Sequence, residues 1–287
     1  MCVRFFERNN VQGGKTMVIQ NSVASYDLKK VDNKKVIDFL GIRLNNMTAE
    51  EILNHIDYCI KRRTPCQIVG INVDQALRAI EDEYSHKIFD DAEIVFTDGK
   101  PIMWMSKWLK RPIIEKVSGP DLMLLLCERA AEKNYKIFLL GAGPGVAAQA
   151  AKNLERDFPG LQCVGTYSPP FGFEKNPEEM NKIINMLKES GADQLFVGMG
   201  SPKQDIFIYE NIKKYGIPVS YSMGAALDFL GGGAKRAPKW MSDHGLEWFY
   251  RFLQNPKRLY KRYFVDDRRI FKYYREFRKK EKAAGRL

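Results

Sequence analysis

Short runs of consecutive apolar residues alternate along the chain with longer segments in which apolar residues recur at helical spacing. Continuous apolar runs are typical of strands buried on both faces of a sheet. The helical segments between them supply the crossovers that parallel strands need. The pattern predicts an α/β fold with a mostly parallel, Rossmann-like sheet covered by helices on both faces. The predicted strands lie at 36–40, 67–72, 93–99, 135–143, 161–167, 193–200 and 219–224.

Three of the segments between these strands carry clear helix signals. Thr48 and Glu51 form a capping-box pattern in front of apolar residues at helical spacing. Residues 118–133 and 146–158 show the same spacing and predict two further helices.

The chain divides into three predicted regions. Residues 1–33 are polar and aperiodic and are expected to form a flexible N-terminal extension. Residues 34–234 carry the strand and helix pattern and are predicted to be the α/β catalytic domain. Neither a long apolar run nor a signal-peptide pattern is present, so we expect a cytoplasmic protein without a membrane-spanning helix.

The third region, residues 235–287, is called the C-terminal appendage below. It holds 17 Lys/Arg and 6 Asp/Glu and therefore carries the whole net charge of +11, and it is rich in aromatic residues. Basic and aromatic residues on helical faces favour a peripheral segment lying on an anionic membrane surface. Two alternatives are a helix that packs its apolar stripe on the body, and a segment that binds nucleic acid.

The predicted strands end in small, flexible and sparsely charged strings. These are "GIN", "TDGKP", "LGAGPG", "GMGSPKQD" and "SMGAALD". Ligands of parallel α/β sheets bind at the carboxyl ends of the strands. The strings therefore predict a ligand cleft at that edge of the sheet.

Three positions at these strand ends suggest specific chemistry. The glycine-rich turn with Gly141, Gly143 and Gly145 opens a helix and favours contact with a phosphate, although it is also compatible with a purely structural tight turn. Asp98 could act as a general base on a hydroxyl, or it could cap the next helix. Asn72 could orient a sugar or the base.

The string "GMGSPKQD" places a cation and an amide beside a shaped turn. Lys203 suits a phosphate and Gln204 suits a sugar hydroxyl, although both could be solvated loop residues. A D-x-D pattern, with which glycosyltransferases commonly hold a divalent metal, is absent from the sequence. We therefore expect no cofactor, and we expect Lys, Arg and backbone N–H groups to stabilise the leaving group without a metal.

Cysteine and histidine give no sign of a metal site in the sequence. The five cysteines form no C-x-x-C pair, and the three histidines are scattered. Buried reduced thiols are the expected state of the cysteines.

An ordered series of strings across residues 36–265 resembles the bacterial TagA/WecG/CpsF glycosyltransferases, glycosyltransferase family 26. The series is "INVDQAL", "FTDGKP", "KVSGPDLM", "IFLLGAGPG", "FVGMGSPKQD", "SMGAALDFLGG" and "KRAPKWMSDHGLEWFYRFLQNPKRLYKRY". The resemblance implies inverting transfer of a hexose or N-acetylhexosamine from a UDP-sugar to a sugar on a polyprenyl diphosphate. The best-known reaction of the family uses UDP-N-acetylmannosamine (UDP-ManNAc). Its products are precursors of teichoic acid, exopolysaccharide or other cell-surface polysaccharide.

The resemblance also implies roles for single residues. Asp98 matches the family's proposed base, Gln204 its pocket glutamine and Asn72 its strand-end asparagine. The family's tail is thought to bring arginines to the diphosphate at the inner face of the cell membrane. The matching appendage residues predicted to bind substrate are Arg236, Arg251, Arg258 and Arg262.

Two predicted substrate-binding positions depart from the family pattern. Gly70 stands where many members have Thr, and Lys116 stands where many have Arg. Lysine keeps the charge but loses the bidentate geometry of arginine. These departures affect the identity of the donor sugar more than the type of reaction. The family also includes members that self-associate, so a homo-oligomer fits the resemblance.

Two other functions remain as alternatives. One is a different Rossmann-like nucleotide-dependent enzyme, against which the missing third glycine and the missing ribose-binding acid count. The other is a nucleic-acid-binding protein that uses the basic appendage, although no nucleic-acid motif accompanies the charge.

Overall fold

A computed structural model of the chain describes residues 35–287, apart from the side chains of Lys239, Asp243 and Arg258. The predicted flexible extension, residues 1–33, lies outside the described residues. The division of the chain at residue 234 stays a prediction.

The sheet has the predicted α/β architecture. Strands β3 to β8 form one parallel sheet in the order β4-β3-β8-β7-β5-β6, while β1 and β2 form a separate antiparallel hairpin. The fold class predicted from the sequence is confirmed. The strands are β1 (Val36–Phe39), β2 (Ile42–Asn45), β3 (Cys66–Ile71), β4 (Ile94–Thr97), β5 (Lys136–Gly141), β6 (Gln162–Tyr167), β7 (Gln194–Gly198) and β8 (Val219–Ser222).

Helices connect the strands and continue through the C-terminal appendage. Thr48 and Glu51 make the reciprocal capping bonds that the sequence predicted, with N···O distances of 3.3 and 3.0 Å. The helices are α1 (Ala49–Arg62), α2 (Val73–Glu81), α3 (Glu83–Asp91), α4 (Lys100–Trp108), α5 (Gly119–Lys133), α6 (Val146–Asp157), α7 (Pro177–Glu189), α8 (Lys203–Tyr215), α9 (Ala226–Leu230), α10 (Lys239–Asp243), α11 (Glu247–Gln254), α12 (Pro256–Lys261) and α13 (Ile270–Ala283).

Side chains alternate between two apolar layers, because successive residues of a strand point to opposite faces. Ile68 and Phe196 pack on the face covered by α1, α5, α6 and α9. Val69 packs on the other face with α2, α4 and α13, and Leu195 packs there with α7 and α8. Every residue of β3, β4, β7 and β8 is buried, which explains why these strands lack polar alternation.

The β1–β2 hairpin protects the β4 edge of the sheet. The side-chain oxygen of Asn45 accepts a hydrogen bond from the Val95 amide, at 2.8 Å. The Arg43 guanidinium donates to the carbonyl of Ala92, just before β4. A covered edge cannot pair with another strand, so the hairpin limits aggregation through this side of the sheet.

The two ends of the C-terminal appendage differ in how they meet the body. Helix α11 has no buried residue, and Trp248, Phe249 and Leu253 are exposed on it. Helix α13 instead buries Ile270 and Tyr274 against the body. Helix α13 therefore packs its apolar stripe on the body, which is one of the two alternatives to a membrane-bound segment. Helix α11 leaves these three apolar side chains exposed. Within residues 35–287, no helix is both long enough and apolar enough to cross a bilayer.

Candidate active site

A large cavity lies at the carboxyl ends of the parallel strands. Its volume is about 1220 Å³. One side is formed by the ends of β3, β4, β5, β7 and β8, and the C-terminal appendage closes the other side. The strand ends contribute Gly70, Asn72, Asp98, Gly141, Gly198 and Ser222, and the appendage contributes Glu247, Trp248, Arg251, Arg262, Asp267 and Phe271.

Asp98 is the first residue after β4 and lines this cavity. Its own amide donates to the carbonyl of Ile71 at 2.9 Å, which holds the ends of β3 and β4 together. The next helix, α4, begins at Lys100, and Gly99 is its N-cap residue without a side-chain cap. The alternative role of Asp98, as the cap of α4, is therefore not what the structure shows.

The surroundings of Asp98 favour a carboxyl that can accept a proton near neutral pH. Burial raises its pKa to about 6, and the Glu247 carboxylate adds to this rise. The positive charges of Lys116 and Arg251 oppose the rise, as does a hydrogen bond from the Gly119 amide. A general base works best when its pKa lies close to the working pH.

Asn72 and Arg262 meet at the end of β3, although they are far apart in sequence. The Asn72 oxygen caps α2 by accepting from the Gln75 amide at 3.2 Å. Arg262 Nη2 lies 3.4 Å from that oxygen and 3.7 Å from Asp74 Oδ2. The Nε of Arg262 is buried and has no protein partner among the described residues. One donor of an arginine at the cavity wall is therefore still unsatisfied.

Gln204 joins two of the strand-end loops. Its side-chain oxygen accepts from the amides of Gly200, at 3.1 Å, and Gly224, at 3.0 Å. The residue lines the cavity but is 2% exposed. Its side-chain oxygen is therefore already used to hold the two loops of the cavity wall together. A direct contact between Gln204 and substrate stays a prediction.

Lys203 lies at the cavity wall beside an aromatic loop. Its Nζ is 3.0 Å from Glu174 Oε1 and lies over the rings of Phe171 and Phe173, at 5.3 and 5.6 Å from their centroids. The ammonium group is therefore held by an ion pair and two ring faces. A phosphate that bound Lys203 would compete with Glu174.

Close backbone contact explains the glycine at the end of β5. A Cβ added to Gly141 would lie 2.5 Å from the carbonyl oxygen of Gly198 on β7, so no larger residue fits there. The Ser168 hydroxyl lies 3.0 and 3.1 Å from the carbonyl oxygens of Gly141 and Gly143. Gly141 and Gly143 line the cavity, but Gly145 does not.

The two positions that depart from the family pattern both line the cavity. A Cβ at Gly70 would lie 2.8 Å from the ring of Phe96, so the phenylalanine ring occupies the space that a threonine there would need. Lys116 stands close enough to act electrostatically on Asp98 and Asp121.

The four appendage arginines do not share one environment. Arg251 lines the cavity, and its guanidinium carbon lies 5.9 Å from the centroid of the Phe229 ring. Arg236 pairs with Asp121 at 2.7 Å and does not line the cavity. The side chain of Arg258 lies outside the described residues. Of the four, the structure places Arg251 and Arg262 at the cavity.

Four carboxyl groups that line the cavity were not predicted: Asp74, Asp228, Glu247 and Asp267. Glu247 lies in the string "GLEW", but nothing in the sequence places it near Asp98. Burial raises the pKa of Asp267 to about 6, although the positive charge of Arg262 opposes the rise. Its Oδ1 is buried and has no protein partner among the described residues. Asp267 is therefore a second carboxyl in the cavity that could accept a proton.

Comparison with known proteins supports the family resemblance. The sequence model of the family described as "Glycosyl transferase WecG/TagA/CpsF family" matches residues 37–283. A protein of Bacillus spizizenii is 28% identical over 222 residues, which are 77% of this chain and 82% of the relative. It is named N-acetylglucosaminyldiphosphoundecaprenol N-acetyl-beta-D-mannosaminyltransferase.

The family match spans the parallel sheet, the cavity at its carboxyl edge and most of the C-terminal appendage. It therefore covers all of the cavity residues discussed above. The chain belongs to the WecG/TagA/CpsF family and is a glycosyltransferase.

Proposed function

We propose that the protein transfers N-acetylmannosamine from UDP-ManNAc to N-acetylglucosaminyl-diphospho-undecaprenol, with inversion at the anomeric carbon. The name of the Bacillus spizizenii relative supports this pair of substrates. The observation that carries the mechanism is Asp98, which lies in the strand-end cavity with a pKa raised to about 6 and basic side chains beside it.

In this proposal Asp98 removes the proton from the acceptor hydroxyl. The hydroxyl oxygen then attacks the anomeric carbon from the face opposite to the departing UDP, which produces inversion. Holding the two substrates in this alignment within one cavity lowers the entropic part of the barrier. The size of the cavity, about 1220 Å³, supports the binding of both substrates together.

Negative charge develops on the diphosphate as the bond to the sugar breaks. Arg251 and Lys116 line the cavity and are placed to offset this charge. The lack of a D-x-D pattern in the sequence supports departure of UDP without a divalent metal. Arg262 is a further cation of the same wall, and its unsatisfied Nε supports a role in binding substrate.

We also propose that the protein acts as a peripheral protein at the inner face of the cell membrane. Several exposed aromatic side chains line the cavity, from both α4 and the appendage: Trp104, Trp108, Trp248, Phe264 and Phe271. Tryptophan and other aromatic residues favour the interface between lipid and water. This surface would bring the cavity to an acceptor whose lipid tail stays in the bilayer.

A transfer assay tests the proposed substrates and the membrane location together. Purified protein is mixed with single UDP-sugars and an acceptor carrying N-acetylglucosamine on a lipid diphosphate, without added divalent metal. We expect transfer from UDP-ManNAc, and faster transfer when the acceptor lies in anionic vesicles than when it has a short chain in solution. Failure to consume any UDP-sugar, with or without acceptor, would contradict the proposed function.

The proposed base also determines how turnover depends on pH. Since Asp98 accepts a proton only when ionised, we expect kcat/KM, which reports the free enzyme, to rise with pH through about 6 and then to level off. Glu247→Gln removes a negative charge that raises the pKa of Asp98, so the rising limb should move to lower pH. Glu210→Gln, a change at a surface carboxylate bound to Tyr84, is the control and should leave the limb in place. An unchanged limb in the Glu247→Gln variant would contradict the electrostatic link.

A further inference from the structure

A second cluster of reactive side chains lies at the end of the sheet opposite to the cavity. Helix α1 contributes His55 and Cys59, which are four residues apart and share one face of the helix. Glu93 immediately precedes β4, and Cys66 is the first residue of β3. Since Glu93 and Asp98 lie at opposite ends of β4, the cluster is about 17 Å from the proposed base. It plays no part in the transfer reaction derived above.

The atoms of this cluster converge closely enough to hold one ion. His55 Nε2 lies 2.7 Å from Glu93 Oε1, and the ligand atoms of His55, Cys59 and Glu93 all lie within 4.8 Å of one another. Around tetrahedral zinc, the distance between two ligand atoms is about 3.3 to 3.8 Å, given the usual Zn–N, Zn–O and Zn–S bond lengths. A shift of under about 1 Å between imidazole and carboxylate would therefore produce this geometry.

Cys66 is the candidate for a fourth ligand, although the atoms that already lie within 4.8 Å of one another are those of His55, Cys59 and Glu93. Its thiol is within hydrogen-bonding reach of the Cys59 sulfur. Both cysteines are buried, with 5% and 9% of their surface exposed, whereas 36% of the Glu93 side chain is exposed. The site is thus enclosed by protein around the sulfur atoms and open to solvent at the carboxylate, which gives an ion a route of entry.

The charge around the cluster suits such a site. Two thiolates and one carboxylate around a divalent ion leave one net negative charge. Arg43 and Arg62 lie close enough to Glu93 to act on it electrostatically, and their positive charges offset that excess. Sulfur and imidazole ligands select zinc over magnesium and calcium, which prefer sets of oxygen ligands.

We propose that His55, Cys59, Cys66 and Glu93 form a structural zinc site that ties helix α1 to the amino-terminal edge of the parallel sheet. The site is independent of the proposed transfer reaction. The zinc site could not be recognised from the positions of histidines and cysteines along the chain. Its four proposed ligands come from a helix, a strand and a loop that only the fold brings together.

Cobalt uptake by the full-length, reduced protein tests this proposal. Co²⁺ is added to chelator-treated protein that has been freed of chelator, and the absorption spectrum and the bound metal are measured. We expect one equivalent of Co²⁺ with a thiolate-to-cobalt charge-transfer band and the intense visible bands of tetrahedral cobalt. Zn²⁺ should displace the Co²⁺ and raise the Tm.

Variants separate this site from adventitious binding. Cys59→Ser should abolish the charge-transfer band or strongly reduce it, and Glu93→Gln should weaken metal affinity at least about tenfold. Cys127→Ser is the matched control, because Cys127 is also a buried cysteine on a helix of the same layer. It should keep full metal uptake.

Two outcomes would overturn the zinc site. One is the absence of stoichiometric metal uptake by the reduced wild-type protein. The other is equal uptake by wild-type, Cys59→Ser and Glu93→Gln proteins. If Cys59→Ser fails to fold, metal uptake by Glu93→Gln still tests the zinc site, because Glu93 is partly exposed. A Cys59–Cys66 disulfide in air-oxidised protein, with no metal uptake after reduction, would also count against zinc.

Discussion

We expect the replacement of Asp98 by asparagine to lower kcat about 100- to 10,000-fold, which is the usual contribution of a positioned general base. The amide has nearly the shape of the carboxyl group but cannot take a proton from the acceptor hydroxyl. We expect the fold to remain, because the asparagine oxygen can still accept from the Gly119 amide at the start of α5, and no ion pair among the described contacts depends on Asp98. Steady-state kinetics, with circular dichroism as a check of folding, measure the effect.

Asp267 provides the matched control for this variant. It lines the same cavity, and burial raises its pKa to about 6 as well. If Asp98 is the base, Asp267→Asn should keep most of kcat and should alter KM at most moderately. The reverse result, a large loss of kcat in Asp267→Asn with an active Asp98→Asn variant, would move the role of base to Asp267.

We expect the replacement of Arg251 by alanine to lower kcat/KM about 100- to 1,000-fold, the effect typical of removing one preorganised donor to a developing negative charge. Arg251 lines the cavity and acts electrostatically on Asp98, and no carboxylate of the described residues lies within ion-pair distance of it. Its charge is therefore available to the diphosphate. Arg251→Lys should recover part of the loss, because charge returns without the bidentate geometry.

Arg236→Ala is the control for Arg251. Arg236 comes from the same appendage, but it pairs with Asp121 and does not line the cavity. We expect its removal to leave kcat/KM near the wild-type value and to lower the free energy of unfolding by at most about 1 kcal/mol, as for a partly exposed ion pair. Arg236 also acts electrostatically on Asp98, so equal losses in both variants would show that these arginines act through the packing of the appendage or through their charge on Asp98, and not through contact with the substrate.

The sheet was predictable because its strands carry their signal locally. The runs around Ile68 and Phe196 are apolar without alternation, and burial on both faces requires such runs. The cavity was predictable for a related reason, since Asn72, Asp98 and Gly141 lie at the carboxyl ends of strands that meet at one edge of the sheet. The local hydrophobic pattern was sufficient to predict the sheet. The rule that ligands bind at the carboxyl ends of parallel strands was sufficient to predict the cavity.

The appendage was less predictable because its helices share one composition. Helices α11 and α13 both combine basic and aromatic residues, yet α11 buries no residue while α13 buries Ile270 and Tyr274. Which apolar face becomes covered depends on the shape of the body beside it. Amphipathicity alone identifies a face that favours apolar surroundings and does not distinguish protein from lipid.

The sequence by itself determined the α/β class, the positions along the chain of the six strands of the parallel sheet, and the placing of Asp98 and Asn72 at strand ends, but it missed β2 and the hairpin that β2 forms with β1. These properties follow from hydrophobic periodicity and from the chemistry of residues close together in the chain. Only the tertiary structure brought Glu247 and Arg251 to Asp98, Arg262 to Asn72, and His55 to Glu93. Such pairs depend on how distant segments pack, and the pKa of Asp98 depends on burial and on charges that only this packing supplies.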